Sequence, residues 1–342
     1  MLQAFAFATL LFVVGSAVAA DPVDVDRKNK RAAVIVALPG GKLVVSLDPL
    51  SSLIVHTATL YQMNRQTGVQ HYPVREDPAA TGCVQPALLD SLAAKGTNTS
   101  PSMKQAFHPA MLEASRGAYT SLPDARTLAG LAPDPFGRAL VSTWECFYRQ
   151  YWERRFDDLL VQFRRMNDSV RWAESLAQME KLTGRQWKGS MFVFAAEGAG
   201  KSGLWVKPNI CIGGLDETSD GGFVHEGLHL LLGEEWARAP RIQRFMASRN
   251  FNDPFWKSNW AGKYEQALVA SLDIYIRGLH HKYPEKKVVP NYLSGVRVGE
   301  IADVAWPLVK AHAGHPAGTI EDLMFEMIQR AEGRKPPTEA RP

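Results

Sequence analysis

Phe223-Val224-His225-Glu226-Gly227-Leu228-His229-Leu230-Leu231-Leu232 decides how this chain is read. It is an H-E-x-x-H sequence inside an apolar run. On a helix, side chains four residues apart stack on one face, so His225 and His229 present two imidazoles side by side. At about 100° per residue, Val224, Leu228, Leu231 and Leu232 form one apolar stripe. Phe223 and Leu230 cover most of the remaining circumference, and Gly233 ends the run as a C-cap signal. A helix apolar nearly all round is a buried helix. Its polar sector is then His225, Glu226 and His229, and buried polar groups need partners. One divalent cation satisfies all three, with the two His as ligands and Glu226 reaching a water on that cation. The competing reading is a pair of core histidines satisfied by hydrogen bonds.

A catalytic metal site needs a third ligand from elsewhere in the chain. Glu234 and Glu235 follow the motif too closely to turn back onto it and read as solvated. Farther on, Lys263 to Ile276 carries a helical stripe of Leu268, Val269, Leu272, Tyr275 and Ile276. Glu265 falls in the middle of that stripe, where a carboxylate is costly unless paired. Its partner is either the metal or an arginine such as Arg277 or Arg297. Asp273 lies beside the stripe rather than at its centre. Glu285 sits in a charged run, and Glu300 and Asp303 begin a helix, where acidic residues are expected anyway.

The motif is similar to the active-site helix of the zincin metallopeptidases. The metzincin branch would continue with x-x-G-x-x-H. Here Leu230-Leu231-Leu232-Gly233-Glu234-Glu235 follows His229, so neither that glycine nor a third His is in place. The chain therefore resembles the gluzincin branch, whose third ligand is a Glu on a later helix. The resemblance covers mainly Trp187 to Tyr275. It implies one Zn²⁺ held by His225, His229 and Glu265, a water in the fourth position, Glu226 as general base, and peptide-bond hydrolysis of a peptide or protein substrate. Pro208 and the flanking glycines make Asn209 to Gly214 read as an edge strand; the resemblance implies that extended peptide pairs with it by strand addition, the alternative being an ordinary edge strand. A reading from another class is a zincin fold that has lost turnover and serves as an exported binding or scaffold protein. Glu226 argues against it, since binding alone needs no base there.

Met1 to Ala20 reads as a secretory signal, with an apolar core from Ala4 to Val14 and small residues at Ala17-Val18-Ala19. The expected location is outside the cytoplasm, periplasmic or secreted, with no stable membrane span once the signal is cleaved. The net charge of +4 is small and the basic residues are scattered, so nothing suggests nucleic acid. The cysteines are Cys83, Cys146 and Cys211, none with Cys-x-x-Cys spacing. Cys83 with Cys146 is the most plausible pair, though spacing does not determine it.

The fold class expected is α+β and mostly helical, with a small mixed or antiparallel sheet. The divisions are the signal 1–20, an N-terminal α/β region 21–137, a zincin-like domain 138–332 and a disordered tail 333–342. Ala132-Pro133-Asp134-Pro135-Phe136-Gly137 marks the internal boundary. Ala32 to Leu38 and Lys42 to Leu47 read as strands joined through Pro39-Gly40-Gly41. Helices are expected over Ser51 to Gln62, Leu88 to Ala94, within Met103 to Leu131, and in two pieces from Leu140 to Leu182. Phe147, Tyr151, Phe156, Leu159, Leu160, Phe163 and Met166 recur there as a core stripe. Met191 to Ala196 is a buried strand. Glu197-Gly198-Ala199-Gly200-Lys201-Ser202 imitates a phosphate loop, but its first glycine would be Ala195 and no helix pattern follows, so it reads as a turn. His280 and His281 read as surface residues at a helix end. Ile301 to Ala313 and Ile320 to Arg330 read as two last helices. His312, His315 or one of several tyrosines is left as the oxyanion-stabilising group.

Overall fold

The computed structural model describes residues 23–24, 32–38, 43–61, 78–94, 125–131, 134–197, 204–206, 209–215, 220–233, 236–247, 254–281, 299–314 and 318–333. The signal segment, most of the tail, 103–124, Glu234, Glu235, Glu285 and His315 lie outside them.

Six strands form one sheet in the order β1-β2-β3-β4-β6-β5. They are β1 (Val23–Asp24), β2 (Ala33–Leu38), β3 (Leu43–Leu47), β4 (Met191–Ala195), β5 (Leu204–Val206) and β6 (Ile210–Gly213). β2 and β3 make the expected antiparallel pair, Ile35 opposite Val45, with a bulge between Val36 and Leu38. The centre of the sheet is parallel: Val45 pairs with Val193, and Val193 with Cys211. The sheet is thus mixed, and the antiparallel expectation holds only for its flanks. Parallel neighbours need a long crossover. The crossover from β3 to β4 contains α1 (Pro49–Leu60), α2 (Pro78–Thr81), α3 (Pro86–Ala94), α4 (Ala125–Leu131), α5 (Phe136–Thr143), α6 (Arg149–Ser169) and α7 (Trp172–Thr183). One sheet therefore runs across the boundary expected at 132–137.

The strand before the motif is not an edge. β6 pairs with β4 on one side and with β5 on the other, so β5 takes the outer position. Gly213 is itself paired in that ladder, opposite Ala195.

After β6 come α8 (Asp220–Leu232), a 3-10 turn (Trp236–Arg238), α9 (Pro240–Ala247), α10 (Pro254–His281), α11 (Gly299–Gly314) and α12 (Ile320–Gly333). α8, which carries the motif, packs against β5, β6, α7 and α10. One continuous apolar core reaches from Ala33 to Ala331. The aromatic stripe of α6 and the π-helical turn before it (Trp144–Tyr148) enters that core. Phe147, Phe156 and Phe163 are buried, while Tyr151 is half-buried and donates to Glu197 at the end of β4. Asp48 starts α1 as a buried cap, accepting from the backbone N–H of Leu50 at 3.0 Å and of Ser51 at 2.8 Å. Among the described residues no helix is long and apolar enough to cross a membrane.

Cys83 and Cys146 form a disulfide across 63 residues, tying the segment between α2 and α3 to the π-helical turn. Cys211 is a buried free thiol in β6. Closing a loop of that length stabilises the fold by about 4 kcal/mol in the chain-entropy account. Reduction is expected to lower the thermal midpoint clearly in calorimetry, with Cys211 resisting alkylation until the chain unfolds. An unchanged midpoint after reduction would show that the bond adds no constraint.

Candidate functional site

α8 is built to be surrounded. Val224, Leu228 and Leu232 are fully buried, and Phe223 and Leu231 nearly so. Gly227, the first of the two variable residues in the motif, meets α7 closely. A Cβ there would lie 3.1 Å from Sδ of Met179 and 3.2 Å from the ring of Trp187. The glycine therefore sets how near α8 approaches its neighbour. Gly233 adopts φ +60° and its N–H donates to the His229 carbonyl at 2.9 Å, ending the helix as its position predicts.

The polar sector faces α10. His225 and His229 lie with ring centroids 5.1 Å apart, their side chains 13% and 12% exposed. Glu265 Oε1 is 2.6 Å from Nδ1 of His229, and its other oxygen accepts from Nε1 of Trp236 at 3.2 Å. Nδ1 of His225 lies 3.4 Å from Oδ2 of Asp273. Asp273 is fully buried and receives both arms of the Arg277 guanidinium, at 2.8 and 3.1 Å. Between the two rings sits the Gln266 amide. Its Oε1 is 3.1 Å from Nε2 of His229, and its Nε2 donates to Nε2 of His225 at 3.1 Å. Since His225 meets 266 and 273 while His229 meets 265 and 266, the two helices run antiparallel.

This low-dielectric seam shifts its own acids and bases. Burial pushes the Glu226 carboxyl above the usual carboxylate range, although the two imidazoles pull it down. Burial lowers the His225 imidazole, but the hydrogen bond to Asp273 and the charge of Glu226 outweigh it, and the net shift is upward. Burial also raises the Cys211 thiol, and the charge of Glu226 adds to this.

The structure sets Glu265 against His229, and His229 beside His225. It places Glu265 on the Nδ1 edge of His229, not beside the two Nε2 atoms. Among the described residues no group of three or more His, Cys, Asp or Glu side chains gathers as a metal-ligand set. The Arg277 considered for Glu265 serves Asp273 instead. Sequence reasoning missed Gln266 and set Asp273 aside. The available signal was their spacing of seven, two helical turns, with Arg277 four residues beyond. His280 is not a surface residue: its side chain is 6% exposed, 3.6 Å from Glu174 and 3.4 Å from the Ser175 hydroxyl. His312 lies 3.0 Å from the Leu182 carbonyl at the end of α7, which gives it a structural role. Comparison with protein-family models, with curated proteins and with solved structures finds no match.

Removing Asp273 would take from the buried Arg277 guanidinium the carboxylate that two of its nitrogens hold. Asp273→Ala is therefore expected to cost roughly 3–5 kcal/mol in urea unfolding. A loss below about 1 kcal/mol would mean that water reaches the guanidinium.

Proposed function

We propose that this chain is an exported zinc-dependent peptidase of the gluzincin type, with Glu226 as general base. The observation that carries the reading is the seam between α8 and α10. Two imidazoles have their Nδ1 atoms against carboxylates and their Nε2 atoms turned toward one amide. Carboxylate partners of this kind hold metal-binding histidines in orientation and raise their basicity. The donor set fits a divalent cation, with His225 and His229 as its imidazole ligands. Zn²⁺ held there would supply Lewis acidity for a carbonyl and would acidify a water.

The protein's own groups do the rest. Glu226 takes the proton of the attacking water and later returns it to the leaving amine. Buried Val224, Leu228 and Leu231 keep bulk water from the helix behind it. β5 pairs with β6 on one side and packs near α8, so its other side is where an extended peptide backbone would add as a strand. One observation favours a second reading, a catalytically silent zincin-fold binding protein: the Gln266 amide lies within hydrogen-bond distance of both rings, and a proton on Nε2 of His229 lets it bridge them.

The purified chain is expected to hold about one zinc, removable by chelator. Glu226→Gln should keep that zinc and the fold while losing peptide hydrolysis by at least about 100-fold. Equal rates on a mixed peptide library would remove Glu226 from the base role. A parent that binds zinc but cleaves nothing across that library would favour the binding protein.

A further inference from the structure

We infer that Gln266, through its amide oxygen, is the third metal-binding side chain of this site, with Glu265 and Asp273 holding the two imidazoles through Nδ1. The inference rests on the zinc reading proposed above and departs from it only at Glu265.

Nδ1 and Nε2 lie on opposite edges of an imidazole. A carboxylate bound to Nδ1 therefore lies away from the direction in which Nε2 points its lone pair. Glu265 is committed on that far edge, one oxygen 2.6 Å from Nδ1 of His229 and the other 3.2 Å from Trp236 Nε1. Asp273 takes the corresponding place on His225 at 3.4 Å, and Arg277 holds both of its oxygens. A carboxylate beside Nδ1 selects the tautomer with the proton there, which leaves both Nε2 lone pairs facing α10.

The side chain they face is Gln266. At His225 the match is good, because the amide N–H₂ donates to a lone pair at 3.1 Å. At His229 the amide oxygen meets Nε2 at 3.1 Å, and with the proton on Nδ1 this sets one acceptor against another. A cation between them turns that opposition into coordination. A second proton on the ring is the alternative, which makes His229 an imidazolium between Glu265 and Gln266. Were a cation bound, the Gln266 N–H₂ would have to release the His225 lone pair, and two imidazole nitrogens and one amide oxygen, all neutral donors, would hold it. The Glu265 charge then sits one ring away from the cation and balances part of it.

The test is zinc affinity of the full chain, measured by competition with a chromophoric chelator, together with visible absorption of the Co²⁺-loaded protein. Gln266→Ala is expected to weaken zinc binding by at least about 100-fold, and Glu265→Gln by about tenfold, the lower end for groups that only support a ligand. Gln266→Glu keeps the shape, adds an anionic oxygen, and should tighten zinc by about tenfold or more while shifting the cobalt bands. Glu265→Gln should leave those bands in place. Bands that move with Glu265→Gln and not with Gln266→Glu would return the ligand role to Glu265. If both Gln266 variants bind zinc like the parent while His225→Ala abolishes binding, the Gln266 assignment fails and the zinc reading stands. A parent that binds no zinc overturns both.

Discussion

The structure around the motif depends on the carboxylate–imidazole contacts that join α8 to α10. Both helices are otherwise apolar where they meet, so the polar side chains between them must be satisfied by one another. His229 is held by Glu265, His225 by Asp273, and Asp273 in turn by Arg277. Each of these groups is costly alone. Together they are consistent with only one rotation and one axial offset of the two helices. A buried network of this kind adds little net stability, because removing the charges from water offsets most of their attraction. What it does is reject other packings of two smooth apolar surfaces.

The remaining elements hold α8 still enough for that match. β6 supports it from the parallel centre of the sheet. Gly227 lets it close on Met179 and Trp187, where any side chain would press on its neighbours. Arg185 donates to the Leu231 carbonyl at 2.9 Å and pairs with Glu321, tying the C-terminal end of α8 to α12. Far from the motif, the disulfide joins the early helices to the turn before α6. The histidine pair therefore stands on a helix held by β6, by Met179 and Trp187 and by the tie to α12.

The position of the Gln266 amide links the two functional readings. A glutamine donates at one end and accepts at the other, so it bridges the two histidines without an ion when the ring facing its oxygen carries a proton on Nε2. The same oxygen can serve as a neutral ligand when an ion is present. A glutamate there would bind a cation more strongly but could not donate to Nε2 of His225.

Local pattern determined much of this. The apolar circumference of 223–232 showed a buried helix with one polar sector, and Gly233 its end. The stripe on α10 showed that Glu265 points inward, and the runs at 33–38, 43–47 and 191–195 showed strands. These are statements about one segment at a time, and side-chain periodicity reports them directly. Tertiary structure alone decided the rest. Whether β6 is an edge depends on β5 arriving beside it, which no feature within 209–214 encodes. Whether 265 or 266 faces the Nε2 atoms is a matter of about 100° of rotation and 1.5 Å of rise between neighbours on one helix. Both residues lie near the same buried face, so periodicity cannot separate them. The choice was made by the packing of α8 against α10, where the His229–Glu265 and His225–Asp273 contacts join the two helices.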